Sequence, residues 1–256
     1  MAGRVGLDDV IYGLHAIEEA LIAGEPLQRI HVAQHRRQDR AVQNVLQLAK
    51  GAGAHVRFED QRFFAQFPYK AHQGVIAIAP PFAYVTLEEA LAKRKNPALF
   101  VVLDHITDPH NAGAIIRTAE SAGADAVILP ERRSAGVNAT VRKAAAGAAA
   151  HLSIARVANI AETARKLKKA GVWVAGADPS ADSVPYWQAD FTADLALMIG
   201  AEGRGLSPVV LKECDLRVGI PMSGKVQSLN ASVATAVLLY EAVRQRRAPI
   251  ESELNE

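Results

Sequence analysis

The stretch "LALMIGAEGRGLSP" at residues 195–208 passes from an unbroken apolar run into a glycine-rich turn, then to Ser-Pro, which opens a helix. A strand without polar alternation is buried on both faces, as in a parallel sheet. Ligands of α/β proteins bind at the carboxyl ends of such strands. Gly200, Gly203 and Gly205 let main chain approach a ligand closely, and Glu202 stands between them. A tight turn with an exposed acid would leave the same pattern. The spacing is G-x-x-G-x-G rather than G-x-G-x-x-G, and no ribose-binding acid follows about 20 residues on, which disfavours a nicotinamide site.

The same kind of strand recurs on both sides. "ALFVVLD", "DAVILP", "LSIARV", "VWVAGA" and "LRVGIP" are short and rich in β-formers. Helical segments lie at 111–123, 139–150, 160–170 and 207–213, and a last helix runs from about 229 to 247. The pattern predicts an α/β fold with a parallel sheet, and periodicity alone predicts an open, doubly wound one. Further upstream, residues 12–24 read as a helix on Leu14, Ile17, Leu21 and Ile22. "RIHVA", "HVRFED" and "GVIAIA" read as strands, and "DRAVQNVLQLAKGAG" as a helix closed by Gly51 and Gly53. These form a small α/β unit at 1–79. Pro80 and Pro81 end it, and Pro97 ends a short helix whose Thr86 and Glu89 have capping-box spacing. Residues 80–97 are the expected linker, and 98–256 the second domain.

With 256 residues, half of them hydrophobic, the chain has ample material for a core. Its apolar runs stop well short of a membrane span. The start carries Asp8, Asp9, Glu18 and Glu19 and does not read as a signal peptide. Cys214 is the only cysteine, so neither an intramolecular disulfide nor a cysteine zinc site is expected. A cytoplasmic protein is expected, with no metal and no membrane partner. Net charge is only +2, yet basic residues cluster at Arg36, Arg37 and Arg40, at Lys93, Arg94 and Lys95, at Arg132 and Arg133, and at Arg142 and Lys143. Any one cluster fits a solvated face; together they suit a phosphate backbone.

Two more stretches carry polar chemistry. In "LDHITDPHNAGAIIRTAESAGADAVILP", Asn111 is placed as an N-cap, and Arg117 follows the small residues Gly113 and Ala114 on one helix face. That face leaves room for an anionic ligand, although a surface helix with one solvated arginine fits too. In "VGIPMSGKVQSLNASVATAVLLYEA", Ser228 or Asn230 caps the last helix. The other one and Ser232 are then spare, which suits a polar ligand at a helix start. Val233, Val237 and Tyr240, with Ala236 and Leu239, give that helix more apolar surface than one partner covers, so a homodimer is expected.

Taken in order, N111-A-G-A-I-I-R117, G200-A-E202-G-R-G-L and I220-P-M-S-G-K-V-Q-S228-L-N230-A-S232 resemble the three motifs of SpoU-type (TrmH-like) RNA 2′-O-ribose methyltransferases of the SPOUT class. "YGLHAIEEAL" and "HQGVIAIAP" are similar to the ribosomal-protein-L30e-like substrate-binding domain of members that methylate a guanosine ribose in large-subunit rRNA. The resemblance spans nearly the whole chain. It implies a SPOUT fold with a carboxyl-terminal deep trefoil knot, S-adenosylmethionine as cofactor, and 23S rRNA or a large-subunit precursor as partner rather than DNA. It further implies that Asn111, Arg117, Glu202, Ser228 and Asn230 are catalytic. Gly176, Met198, Gly200, Ala201, Gly203, Ile220, Met222, Ser228 and Leu229 would hold the cofactor. Arg117 would position phosphate and stabilise alkoxide, because a guanidinium with pKa above about 12 is a poor base. Glu202 would orient Arg117 or take the proton. A non-catalytic RNA-binding protein and methylation of another RNA such as tRNA are the alternatives.

Overall fold

The computed structural model describes residues 10–180, 182–226 and 228–247. Asp8, Asp9 and Gln227, named above, lie outside them.

The first sheet has four strands: β1 (Val10–Tyr12), β2 (Arg29–Ala33), β3 (His55–Glu59) and β4 (Val75–Ile78), in the order β1-β4-β2-β3. β2 and β3 are parallel and the other pairs antiparallel. Helices α1 (Leu14–Ile22) and α2 (Arg40–Gly51) cover one face, closing a core around Ile17, Ile30 and Val45. The expected helix at 12–24 is therefore shorter. Val10–Tyr12 pair with β4 instead, and Gly13, at φ 89°, turns the chain into α1. On the other face α3 (Gln61–Phe64) brings Phe64 against Tyr12 and Ile76.

Next comes α4 (Leu87–Ala92), and its capping box forms: Glu89 N–H donates to Thr86 Oγ1 at 3.1 Å, and Thr86 N–H donates to Glu89 Oε2 at 2.7 Å. The second sheet follows, with β5 (Leu99–Asp104), β6 (Ala126–Pro130), β7 (Ser153–Val157), β8 (Trp173–Ala177), β9 (Val184–Pro185), β10 (Leu195–Gly200) and β11 (Leu216–Gly219). Their order is β7-β6-β5-β10-β8-β11-β9, and every pair is parallel. An open doubly wound sheet would set β8 beside β5; β10 takes that place. Its five residues Leu195–Ile199 are buried, as a central parallel strand requires.

On one face of this sheet lie α5 (Pro109–Ser121), α6 (Ala139–Ala144) and α9 (Ala231–Arg246); on the other, α4, α7 (Ile160–Lys169) and α8 (Pro208–Glu213). Fully buried side chains such as Phe100, Ile115 and Leu129 fill both layers, each contributing about 1.5–3 kcal/mol. The expected helix at 139–150 stops at Ala144. Ala146 and Gly147 adopt positive φ, and the backbone resumes as a 3-10 turn at Ala148–Ala150. The two sheets' layers meet along a tight seam. Arg142 Nη1 donates to Glu25 Oε2 at 2.6 Å, and a Cβ on Gly147 would lie 2.3 Å from that of Glu19. Among the described residues no helix is long and apolar enough to cross a membrane.

Candidate active site

Register sets the site. Gly200, the last residue of β10, pairs with Asp104, the last of β5, so the loops after both strands leave from one edge. After β10 the chain folds straight back: Gly205 N–H donates to Ala201 O at 2.8 Å. A Cβ on Gly200 would come within 2.1 Å of Gly205 main chain, so glycine is required there. Gly203 and Gly205 hold positive φ. Buried Asp104 fastens this loop to β5, accepting from Ser207 N–H at 2.8 Å while its other oxygen meets His105 Nδ1 at 2.7 Å. Asp104 is a site-building residue missed in the sequence; it read only as the end of an apolar run.

The loop delivers Glu202 to the start of α9. Glu202 Oε1 accepts from Asn111 Nδ2 at 2.9 Å, from Ala231 N–H at 3.2 Å and from Asn230 Nδ2 at closer range. Asn230 Nδ2 also donates to Asn111 Oδ1 at 2.9 Å. Three side chains from remote parts of the sequence thus form one closed triangle, and the carboxylate sits at the positive end of a helix of 16 residues. Asn230 is the cap of α9: its Oδ1 accepts from Ser232 N–H at 2.9 Å and Ser232 Oγ at 2.6 Å. Ser232 therefore supports the cap. Asn111 is not a cap. Asp108 takes that role, accepting from His110 N–H, with Pro109 at the first helical position; Asn111 is left free to meet Glu202.

Arg117 stands apart. It is exposed, and it has no hydrogen bond or ion pair among the described residues. Glu202 does not orient it; the carboxylate's partners are Asn111, Asn230 and Ala231. The small residue at Gly113 serves packing rather than a ligand. A Cβ there would lie 2.4 Å from Ala144 Cβ and 2.7 Å from Val141 O, so α5 and α6 touch at this point.

Beside the triangle lies a cavity of about 230 Å³. Gly200, Ala201, Glu202 and Gly203 line it from one loop, and Ile220, Met222, Ser228 and Leu229 from another. Gly176 and Met198 do not. Met198 is fully buried on the opposite face, and a Cβ on Gly176 would strike Cys214 Sγ at 2.7 Å. Alternation along β8 and β10 sends these two positions away from the cavity. Asp178, just past β8, lines it instead. Its place at a strand's carboxyl end was the available signal. Ile199, Ile220, Leu229 and Leu238 make an apolar wall, with Asp178, Glu202 and Ser228 as polar points. That combination fits S-adenosylmethionine, which joins an apolar purine and thioether to a ribose and charged ends.

Comparisons with known proteins agree with this architecture. Residues 98–240 match the SpoU rRNA Methylase family, and residues 10–85 match the RNA 2′-O ribose methyltransferase substrate binding family. The chain is 42% identical over 246 residues to the 23S rRNA (guanosine-2′-O-)-methyltransferase RlmB of Pseudomonas aeruginosa, spanning 94% of this chain and 98% of the relative. It is also 42% identical over 242 residues to a Synechocystis protein described as an uncharacterized tRNA/rRNA methyltransferase, covering 93% of this chain but only 63% of that longer one. Among solved structures, the SpoU methyltransferase AviRb of Streptomyces viridochromogenes, in complex with AdoMet, superposes with a TM-score of 0.79 at 28% identity, covering 93% of this chain and 89% of that one. The chain belongs to the SpoU rRNA methylase family, RNA 2′-O-methyltransferases that draw their methyl group from S-adenosylmethionine.

Proposed function

We propose that this protein methylates the 2′-oxygen of one guanosine in 23S rRNA, as a cytoplasmic homodimer. The relation to RlmB over nearly that protein's full length supports the choice of RNA. The observation that carries the chemistry is the Glu202–Asn111–Asn230 triangle at the edge of the cavity. When bound, S-adenosylmethionine supplies an electrophilic methyl group. The ribose hydroxyl must lose its proton as it attacks, so a fixed acceptor is worth about 10²–10⁴-fold. Oε1 of Glu202 is already taken by three donors, so the proton goes to Oε2. Asn111 and Asn230 hold the carboxylate in place, and Ser228 lines the same cavity. Arg117 grips the RNA phosphate next to the target, as a planar guanidinium does well. Gly200, Ile220 and Leu229 enclose the cofactor. The meeting of Asn230 and Ala231 with Glu202 of the 201–205 loop is the part of the chain we assign to the expected knot.

Mapping 2′-O-methylation in 23S rRNA from a strain lacking the gene tests the proposal. One guanosine should lose its mark, and the purified protein with S-adenosylmethionine should restore it on a transcript. A mark lost from tRNA instead, with 23S rRNA unchanged, overturns the choice of RNA. An RNA with 2′-deoxyribose at the target should bind and accept no methyl group.

A further inference from the structure

At the seam between the two sheets, Lys143 of α6 reaches across to the first sheet's layer. Its ammonium occupies the space that a side chain on Gly13 would fill: a Cβ there would lie 2.2 Å from Nζ and 3.4 Å from Gln73 Oε1. Lys143 is half-buried, and desolvation alone pushes its pKa down. Among the described residues it forms no ion pair; its Nζ packs against Gly13 and lies over the Tyr12 ring, 5.9 Å from the centroid. A partly desolvated cation without a counter-ion costs free energy unless an anion joins it.

Gln73, whose Oε1 accepts from Leu14 N–H at 3.4 Å, lines a cleft of about 310 Å³ together with His35, Arg36, Gln61, Phe64 and His72, among others. The walls are fixed. Gln73 holds φ 52°, and its carbonyl accepts from Arg36 Nη1. His72 stacks on Phe64, with ring centroids 5.2 Å apart. Its Nδ1 accepts from Gly74 N–H at 2.8 Å, which assigns the proton to Nε2. Burial pushes the pKa of that ring below the ordinary imidazole value. The cleft therefore offers an aromatic floor, amide groups that donate and accept, and an imidazole donor. Those are the means by which unpaired bases are read. Arg37, Arg40, Arg62 and Lys70 lie nearby in sequence and are exposed.

We infer that this cleft is an RNA subsite on the substrate's path, taking one unpaired nucleotide with its base among Gln61, His35 and Phe64 and an adjoining phosphate at Lys143. The inference rests on the RNA-methyltransferase reading above and adds a second point of grip. Because Lys143 comes from the methyltransferase layer and the cleft from the first sheet, one bound nucleotide would set the register between them.

The test uses the full chain, S-adenosylmethionine and the 23S rRNA fragment that the wild-type protein methylates. Lys143→Ala and Lys143→Gln should raise the RNA concentration for half-maximal single-turnover transfer about tenfold. The slope of log affinity against log salt should fall by about 0.7–0.9, the loss of one phosphate contact. The rate at saturating RNA should stay within about threefold, and S-adenosylmethionine affinity within about twofold. His35→Ala and Gln61→Ala should weaken RNA binding several-fold with an unchanged salt slope. A purely structural lysine would lower thermal stability without moving that slope, and this result overturns the phosphate site. Normal affinity in His35→Ala and Gln61→Ala overturns the base site. If the wild-type protein transfers no methyl group to any rRNA, the parent reading has failed rather than this one.

Discussion

Glu202 and Arg117 both carry charge, and the structure treats them oppositely. Glu202 is fixed by three donors, so replacing it by glutamine should cost chemistry far more than stability. We expect about 100-fold in single-turnover transfer and a melting shift under about 2 °C, because the residue is exposed and water can take over its contacts. A normal rate in Glu202→Gln would remove this carboxylate as the proton acceptor. Arg117 has no described partner to lose, so any effect of Arg117→Ala must come through substrate. Transfer should fall by at least about 100-fold, while the S-adenosylmethionine dissociation constant changes less than about threefold. Lysine at 117 should recover little, since a point charge cannot copy a planar fork. Calorimetry and quenched-flow assays on one preparation separate the two effects. Cys214 illustrates the opposite case, a reactive group kept silent. Burial, with Asp215 adding to it, pushes its thiol up to about 11. Alkylation in the native protein at pH 8 should run about 100-fold slower than at an ordinary thiol; a fast native reaction would show that the β8–α8 packing opens readily.

At the scale of elements, two glycines make opposite forecasts. Alanine at Gly113 meets Ala144 Cβ and Val141 O, forcing α5 from α6, and should destabilise by about 1–3 kcal/mol while S-adenosylmethionine affinity is kept. Alanine at Gly200 meets main chain of its own loop, so the loop must open, and cofactor binding should be lost at near-normal stability. Denaturant melts and titration of each variant decide; equal losses in both assays would mean the two sites are not separable. Gly200 was legible because a buried strand ended there and a ligand was expected beyond it. Gly113 was legible as small, but its purpose was not, since the partner helix lies 31 residues on and sequence spacing carries no packing. The strands after residue 98 were legible one by one through their unbroken apolar runs. Their order was not, because every run suits a central position equally. For the same reason the cap of α5 was misplaced by three residues. Asp108 and Asn111 are equally good cap formers, and only the Asp108–His110 contact chooses between them.

For the whole molecule, α9 presents one face inward through Leu238, Leu239 and Ala242, and another outward. Val233 and Tyr240 remain 48% and 50% exposed, with Val237 half-covered between them. In the homodimer proposed above, this stripe would be the centre of an interface that must bury more than about 1,000 Å² to hold. Val233→Glu with Tyr240→Glu should turn a dimer into a monomer at micromolar concentration, as read by sedimentation. A wild-type chain that is already monomeric and fully active would remove the homodimer. The insertion of β10 between β5 and β8 has a consequence of another kind, for how the chain is made. Contacts such as Ala98 to Asp194 join residues 96 apart. At about 5–20 residues per second of synthesis, β5 waits roughly 5–20 s for its neighbour. Throughout that interval the nascent protein carries an apolar strand edge open to any other chain. The ribosome's newest product is thus most prone to aggregate just before its central strand emerges, and only β11, between β8 and β9, joins the sheet after it.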